Sequence, residues 1–185
     1  MAKRLFVSVD LDGLADAVRA VQERFEGADG LRFTDPEQTH VTLKFLGDTD
    51  PNRIPTLVDE LDAAVADSGV DPFRAEFGDL SVFPSLDYIS VVWVGVHEGS
   101  AELTALHEAI EERPTAMGFD AEDHDFTPHA TIARMDHAGG EQLVQRVVRD
   151  EDPTVGSLQV EEIRLTESVL QADGPSYETV ESISL

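Results

Sequence analysis

The chain has 185 residues and contains no cysteine. This absence excludes disulfide bonds, thiolate metal sites and cysteine nucleophiles. Hydrophobic runs are short as well, and none approaches the ~20 residues that a membrane-spanning helix requires. The first residues become acidic too early for a secretory signal peptide. From these absences we expect a soluble, cytoplasmic protein that does not enter a membrane.

Positive charge is also scarce. The sequence has 13 Lys and Arg residues against 38 Asp and Glu residues, a net charge of −25, and its only lysines are Lys3 and Lys44. Proteins that bind nucleic acid usually carry a basic surface, so one interpretation is that this chain binds none. The other is a halophilic surface, because at ~1 M salt the Debye length is only ~3 Å and acidic self-repulsion is screened. Regular apolar patterns between the acids favour the halophilic interpretation over a disordered acidic tail.

Apolar spacing predicts the same order of elements in both halves: strand, helix, strand, helix, strand. Gly69 is expected to end one helix and Pro114 another. We interpret the repeat as an internal duplication whose copies pack about a pseudo-two-fold axis. The predicted class is α+β, with helices on the outer faces, in a single domain over residues 1–185 made of two related lobes. The predicted elements are residues 5–10, 14–25, 41–46, 54–65 and 73–83, then 90–96, 103–110, 130–133, 143–148, 160–170 and 177–185.

A short motif occurs once in each half: a His, one residue, a Thr and an apolar residue. The pairs are His40 with Thr42 and His129 with Thr131. Because strand side chains alternate between faces, each motif presents an imidazole and a hydroxyl side by side. One imidazole can take a proton from an attacking water while the other protonates a leaving oxygen, and the hydroxyls can donate to phosphate oxygens. One motif alone would indicate ordinary strand packing, but the duplication favours metal-free phosphoryl chemistry.

A positive residue follows each motif. Lys44 is expected on the face of His40 and Thr42, whereas Arg134 has the opposite parity and would act from the end of its strand. Because positive charge is scarce in this chain, both are candidates for binding a substrate phosphate. Ordinary salt bridges with the abundant acidic residues explain them equally well, and both interpretations stay open.

Four aromatic residues are candidates for stacking on a nucleic-acid base: Phe45, Tyr88, Phe126 and Tyr177. Most of them are expected in the hydrophobic core. Tyr177 follows a Gly-Pro turn and has polar neighbours, so it is predicted to be the most exposed of the four and to bind substrate.

A zinc site is the metal alternative, because Asp123, His124 and Asp125 precede His129. A catalytic zinc ion needs three protein ligands, and a His-x-Thr motif is not a ligand pair. We therefore predict no metal and no other cofactor. The remaining histidines are expected to be solvated surface residues: His97, His107 and His137.

A family resemblance runs nearly from end to end. It is carried by residues 5–10, 40–47, 83–85, 92–95, 126–134 and 174–177. On these segments the chain resembles the 2H phosphoesterase superfamily, which is named for two His-x-Thr/Ser motifs. Within it, the chain is most similar to the RNA 2′,3′-cyclic phosphodiesterases, also called 2′-5′ RNA ligases. The departures are Val41 and Ala130, where a Leu is frequent in the family, and the high acidity.

The resemblance implies a bilobal α+β fold in which two antiparallel sheets face a central cleft. It also implies that water opens an RNA or nucleoside 2′,3′-cyclic phosphate to a 2′-phosphate without a metal or nucleotide cofactor, and that the reverse reaction joins RNA ends through a 2′-5′ bond. By analogy His129 is favoured as the base and His40 as the acid, and Lys44 and Arg134 match flanking positive residues. The family's catalytic positions match His40, Thr42, His129 and Thr131.

The expected partners are RNA ends or short oligonucleotides with a 2′,3′-cyclic phosphate, among them tRNA halves, and the chain is expected to be a monomer. Two alternatives stay open. One is a non-catalytic module that binds cyclic or 2′-phosphorylated nucleotides, and the other is a phosphodiesterase that cleaves 2′-5′ oligonucleotides.

Overall fold

The computed structural model describes residues 1–122 and 125–185. Asp123 and His124, which belong to the zinc alternative, lie outside the described residues. Within the described ranges the chain forms four α-helices and nine strands. In chain order they are β1 (Lys3–Asp10), α1 (Ala15–Glu23), β2 (Leu31–Phe33), β3 (His40–Thr49), α2 (Ile54–Ser68), β4 (Phe73–Ser85), β5 (Tyr88–Glu98), α3 (Ser100–Ala116), β6 (His129–Met135), α4 (Glu141–Asp150), β7 (Thr154–Val160), β8 (Glu162–Gln171) and β9 (Gly174–Ser184).

Helix ends follow the sequence signals with one exception. The α2 helix ends at Gly69, whose φ of 67° is the left-handed conformation that glycine adopts without a Cβ clash. The α3 helix, in contrast, continues past Pro114 to Ala116, so the prediction that Pro114 ends it is wrong. A proline removes one helical hydrogen bond. Here Pro114 is buried, and the Met117 N–H still donates to the Arg113 carbonyl at 3.3 Å, which lets the last turn form.

The strands form one antiparallel sheet in the order β7-β4-β5-β6-β3-β1-β8-β9, with β2 beside β6. The motif strands β3 and β6 lie at its centre and are joined by a single residue pair, Val41 with Ala130. The predicted α+β class is confirmed. The two implied sheets are halves of one continuous sheet, which separate on either side of this pair and leave a cleft between them.

Each half of the sheet combines strands from both halves of the sequence. The first lobe contains β3, β1, β8 and β9, and the second contains β6, β5, β4 and β7. Thus β4, from the first half of the chain, pairs with β5, and β8, from its end, pairs with β1. The α1 helix lies against β6 and β7, and α3 lies against β3. Neither half of the chain therefore contains all the strands of a lobe, and the single cooperative domain over residues 1–185 remains a prediction.

The apolar side chains of both lobes form one connected core. The motif strands contribute alternate residues to it, among them Val41, Leu43, Ala130 and Ile132, which are essentially inaccessible to solvent. Because alternate residues of a strand face opposite sides, burial of this set directs the intervening His and Thr residues away from the core. Among the described residues, no helix combines the length and apolar character needed to cross a bilayer.

Candidate active site

The cleft between the lobes has a volume of about 1240 Å³. All four predicted catalytic residues line it, and so do Lys44, Arg134 and Tyr177. The Val41–Ala130 pair explains why the motifs meet: each motif's central residue is bonded across the sheet, so the flanking His and Thr residues project on the same open face. The motifs therefore contribute two imidazoles and two hydroxyls to one cavity: His40, Thr42, His129 and Thr131.

Both imidazoles are held by the same backbone contact. Nδ1 of His40 lies 2.9 Å from the Gln38 carbonyl oxygen, and Nδ1 of His129 lies 2.6 Å from the Thr127 carbonyl oxygen. A carbonyl oxygen only accepts hydrogen bonds, so Nδ1 carries the hydrogen and donates in both rings. The neutral form of each ring then has its lone pair on Nε2. Each histidine can accept a proton at Nε2 or, once charged, donate one from it.

Two aromatic rings pack against each histidine. Around His40 they are Phe6, with ring centroids 5.0 Å apart, and Tyr177, also at 5.0 Å and edge-on at 82°. Around His129 they are Phe83, edge-on at 4.9 Å, and Trp93 at 5.5 Å. These contacts restrict rotation of both imidazoles and limit their hydration. The ring of Tyr177 contacts a motif histidine and is only partly exposed, whereas Phe45 is 66% exposed and Tyr88 is 71% exposed. The predictions that Tyr177 is the most exposed of the four aromatic candidates and that most of them lie in the core are therefore wrong. The predicted contact of Tyr177 with substrate remains a prediction.

The electrostatic environment of His40 keeps its imidazole predominantly neutral. Burial lowers the pKa of His40, and the positive charge of Arg134 lowers it further. The hydrogen bond to Gln38 and the charge of Asp10 oppose this effect on the pKa without cancelling it. Asp10 is the cross-strand partner of His40, and its carboxylate accepts hydrogen bonds from Ser8 Oγ at 3.0 Å and Arg164 at 2.6 Å.

The cleft has a charge balance unlike that of the chain. Its described lining contains four Lys or Arg residues and four Asp or Glu residues, whereas the whole sequence has 13 and 38. Arg4 and Arg134 are exposed there, and neither forms an ion pair within residues 1–122 and 125–185. Arg32 lines the cleft as well but pairs with Asp136 at 3.2 Å. Two unpaired guanidinium groups in the cleft lining can attract a phosphodiester that the rest of the surface repels.

Lys44 has a different environment from the one predicted. Between β1 and β3 the register passes from Ser8 opposite Thr42 to Val7 opposite Lys44, so β3 contains one extra residue, a β-bulge. The bulge breaks the strand alternation that the prediction assumed, and the Lys44 side chain is 0% exposed. Its Nζ donates to Glu111 and to the Asp120 carbonyl oxygen, both at 2.8 Å. Lys44 therefore forms a buried ion pair at the cleft wall, and its contact with substrate remains a prediction.

Glu111 connects Lys44 to the segment that precedes His129. Its other carboxylate oxygen accepts the Glu122 N–H at 2.7 Å. Burial alone would raise the pKa of Glu111, but the hydrogen bonds from Lys44 and from the Glu122 N–H outweigh it, so the pKa is lowered and the carboxylate stays charged.

His107 is buried, and the prediction that it is solvated is wrong. Its Nδ1 lies 2.7 Å from the carbonyl oxygen of Leu43, the bulge residue, and its ring stacks on Phe126 with centroids 4.2 Å apart. The β-bulge supplies the carbonyl that pairs with this helix residue, a contact that helical periodicity does not reveal. Phe126, a predicted stacking residue, is thus engaged by a protein ring. His97 and His137 are exposed, as predicted.

Among the described residues, three side chains have ligand atoms close enough together for a metal ion: Asp79, His97 and Asp152. All three are exposed, and none lines the cleft. Asp125, the described acid of the zinc alternative, lines the cleft and is exposed.

The sequence matches a family model described as the 2′-5′ RNA ligase superfamily over residues 10–170. The chain belongs to this superfamily. It is 34% identical over 190 residues to the RNA 2′,3′-cyclic phosphodiesterase of Methanothermobacter thermautotrophicus, with full coverage of both chains. It is 32% identical over 176 residues to the RNA 2′,3′-cyclic phosphodiesterase of Archaeoglobus fulgidus, which covers 94% of this chain and 96% of that protein.

Solved structures share the fold of this chain. A crystal structure of a Thermus thermophilus protein superposes with a TM-score of 0.76 at 28% identity, covering 98% of this chain and 97% of that one. The structure of E. coli LigT complexed with 3′-AMP superposes with a TM-score of 0.80 over 100% of this chain and 99% of that chain. Its 20% identity makes this second likeness one of fold alone.

Sequence reasoning missed several residues that surround the motif histidines. Phe6, Phe83, Trp93 and Asp10 reach the histidines from other strands, so their role depends on strand pairing. Trp93, for example, is the cross-strand partner of Thr131, a pairing that no local sequence pattern reveals. Phe33, an exposed ring in the cleft, was also missed, whereas Phe45, another exposed ring there, was among the stacking candidates.

Proposed function

We propose that the chain hydrolyses RNA or nucleoside 2′,3′-cyclic phosphates to 2′-phosphates without a metal ion. The single observation that carries this proposal is the matched pair of imidazoles, each anchored through Nδ1 to a backbone carbonyl and each facing the same cleft. Homologues named RNA 2′,3′-cyclic phosphodiesterase over the full chain support the same activity. Ligation of RNA ends through a 2′-5′ bond requires the same two proton transfers, with a 5′-hydroxyl in place of the attacking water and the same bond to the 3′ oxygen broken.

In the proposed reaction one neutral histidine takes a proton from water at Nε2. The water oxygen attacks phosphorus, and the bond from phosphorus to the 3′ oxygen breaks. The second histidine, in its charged form, donates its proton to that leaving oxygen. The Thr42 and Thr131 hydroxyls donate hydrogen bonds to the non-bridging oxygens, where negative charge grows in the transition state. The Arg134 guanidinium holds the phosphate in the cleft.

For the two roles we propose His129 as the base and His40 as the acid, following the family analogy. The lowered pKa of free His40 places a condition on this assignment, because an acid must be charged before it donates. A bound phosphate anion provides that charge state: its negative charge offsets the repulsion from Arg134 and favours protonation of His40.

The activity is tested with 2′,3′-cyclic nucleotides in molar KCl containing EDTA. Wild-type protein should release the 2′-phosphate, and His40→Ala and His129→Ala should each lower the rate by ~10²–10⁴, the usual contribution of an acid or base. The matched control is His137→Ala, because His137 is exposed outside the cleft. Full activity in both cleft variants would exclude the mechanism, and loss of wild-type turnover in EDTA would indicate a metal enzyme.

The acid and base are separated with a nucleoside 2′-phosphodiester whose leaving group is 4-nitrophenol. Nitrophenolate departs without protonation, so a variant that lacks only the acid should regain most of the wild-type rate. We expect recovery for His40→Ala and none for His129→Ala. The opposite pattern would exchange the two roles.

For the setting of this reaction we propose short RNA ends, among them tRNA halves, in the cytoplasm. The acidic surface supports short oligonucleotides over long RNA, since few phosphates then meet the repelling surface. A monomer is supported because both motifs of the cleft come from one chain. Binding of a cyclic nucleotide without turnover would identify the alternative, a non-catalytic module, and turnover restricted to 2′-5′ oligonucleotides would identify the other phosphodiesterase.

A further inference from the structure

We propose that Phe33 and Phe45 are stacking platforms for two RNA nucleosides, one on each lobe of the cleft, and that stacking supplies most of the affinity for an oligonucleotide. The inference rests on the proposed function, because the histidines define where the reacting phosphate lies. It adds a substrate preference: the cleft should favour oligonucleotides over mononucleotides.

Exposure of the two rings is the first observation. Phe45 is 66% exposed and Phe33 is 40% exposed, yet both line the cleft that contains the motif histidines. Large exposed aromatic rings carry a free-energy cost in water, and beside a polar reaction site they mark a surface that a ligand covers. Every nucleobase has a flat π-face, so RNA can cover such rings whatever its sequence.

The Phe45 ring lies on the first lobe at a short distance from His40. Its centroid is 6.2 Å from that of Phe6, which is 5.0 Å from the His40 ring. Phe45 follows the β-bulge that buries Lys44, and the changed strand parity turns its ring outward. The bulge therefore exchanges a cation for an aromatic ring on this part of the cleft surface.

The Phe33 ring is held beside the second motif. Strand β2 places Phe33 opposite Ala133 on β6. The next residue, Thr34, donates its hydroxyl to the Thr131 carbonyl oxygen at 3.3 Å and its N–H to the Ile132 carbonyl oxygen at 3.1 Å. These hydrogen bonds fix the backbone next to Phe33 beside the second motif, whereas Phe45 follows the first motif. The two stacking platforms therefore lie next to different motifs.

The charge of the chain is the reason why stacking should supply most of the affinity for RNA. With a net charge of −25, the chain repels RNA at low salt, and at the ~1 M salt that would screen this repulsion the attraction of Arg4 and Arg134 for phosphate is screened too. Stacking of a base on an aromatic ring involves no net charge and persists under both conditions. The cleft volume of about 1240 Å³ also exceeds the ~300–1,000 Å³ usual for small-molecule sites, which leaves room for more than one nucleoside.

The test compares a mononucleotide 2′,3′-cyclic phosphate with a pentaribonucleotide that ends in the same group. Phe33→Leu and Phe45→Leu keep an apolar side chain on the fold but remove the π-face. Each should raise the KM for the pentaribonucleotide about 5- to 150-fold, the equivalent of ~1–3 kcal/mol for one stacked base. At most one variant should raise the KM for the mononucleotide, because that substrate has one base. Tyr88→Leu is the matched control, since Tyr88 is 71% exposed but does not line the cleft.

A second readout is the dependence of KM on KCl over the range in which circular dichroism shows an intact fold. Stacking predicts that the pentaribonucleotide KM stays level or falls as salt rises, whereas phosphate pairing predicts a steep rise. Wild-type pentaribonucleotide KM in either Leu variant, or a steep rise with salt, would overturn the inference. In either case, turnover of the mononucleotide by the wild-type protein would still support the proposed function. If the wild-type protein did not turn over the mononucleotide, the proposed function itself would be refuted.

Discussion

At the scale of single residues, the proton affinity of His40 is determined by groups from several elements. Burial by Phe6 and Tyr177 and the charge of Arg134 on β6 lower the pKa of His40, while Asp10 on β1 raises it. Arg164 on β8 holds Asp10 in place through a 2.6 Å hydrogen bond. Asp12 and Glu37 line a small pocket that Asp10 and His40 also line. Asp10 is therefore a positioning residue that acts on the reaction through His40.

Replacing Asp10 by Asn should shift the pH dependence of activity. The variant lacks the negative charge that raises the pKa of His40, so the limb of the kcat/KM profile that reports His40 should move to lower pH, whichever role that histidine has. The titration of the His40 ring, followed by NMR, should move the same way. Asp173→Asn is the control, because Asp173 lines the cleft but is not among the groups that perturb His40.

Replacing Arg134 by Gln should shift the same limb in the opposite direction. Loss of the positive charge raises the pKa of His40, so the limb should move to higher pH, and KM should rise if Arg134 also holds phosphate. Identical profiles in the Asp10 and Arg134 variants would show that neither charge acts on His40.

The two motifs could be found residue by residue, because a strand motif and its repeat are local in sequence, and the catalytic role of their side chains remains a prediction. His40, Thr42, His129 and Thr131 were identified in this way, and the structure brings them to one cleft. Their surroundings were not predictable. Trp93 and Asp10 come near the histidines only because β5 pairs with β6 and β1 pairs with β3.

At the scale of elements, the ion pair between Lys44 and Glu111 connects β3 to α3 and to the segment before β6. Lys44 also binds the Asp120 carbonyl oxygen, and Glu111 binds the Glu122 N–H. The stacked rings of His107 and Phe126 join the same elements. Through these contacts the first lobe fixes the approach of the chain to His129 on the second.

Lys44→Met should lower the free energy of unfolding by about 2–3 kcal/mol, because it leaves Glu111 without its cation. This is less than the ~3–5 kcal/mol for breaking a fully buried pair, since Glu111 is partly exposed. Glu111→Gln should cost a similar amount. Denaturant unfolding at fixed KCl measures both. Arg19→Gln, which breaks an exposed pair with Asp16, should cost at most ~0.5 kcal/mol.

These variants also distinguish the two interpretations of Lys44. If Lys44 acts only in the ion pair, Lys44→Met and Glu111→Gln should change the KM by the same factor. A KM increase confined to Lys44→Met would show that Lys44 contacts the substrate.

Element types were predictable from periodicity, whereas element details were not. The apolar stripe and Gly69 correctly predicted the end of α2. The β-bulge in β3 left no mark in the local pattern, because it arises from pairing with β1. Its effect is nonetheless large, since it reverses the expected positions of Lys44 and Phe45.

At the scale of the whole molecule, the balance of acidic and basic residues in the cleft differs from that of the chain as a whole. The chain carries a net charge of −25, while the described cleft lining has equal numbers of basic and acidic residues. Many of the few cations are used in ion pairs, such as Arg164 with Asp10 and Asp12. Self-repulsion among the remaining acids opposes compaction unless salt screens it.

The melting temperature should therefore rise as KCl increases from ~0.1 M to ~1 M, over which the Debye length falls from ~10 Å to ~3 Å. Thermal unfolding followed by circular dichroism measures the change. Sucrose at equal osmolality is the control for effects that do not depend on charge. Equal melting temperatures at low and high KCl would contradict the halophilic interpretation.

The sequence alone determined the α+β class, the two His-x-Thr motifs and the acidity of the chain, because periodicity, motif and composition are properties of neighbouring residues or of their sum. Only the tertiary structure decided which lobe each strand completes, that Lys44 is buried in an ion pair, and that Phe45 and Phe33 face the cleft. These features depend on pairing between strands far apart in the chain, where a shift of one residue in register moves a side chain to the opposite face.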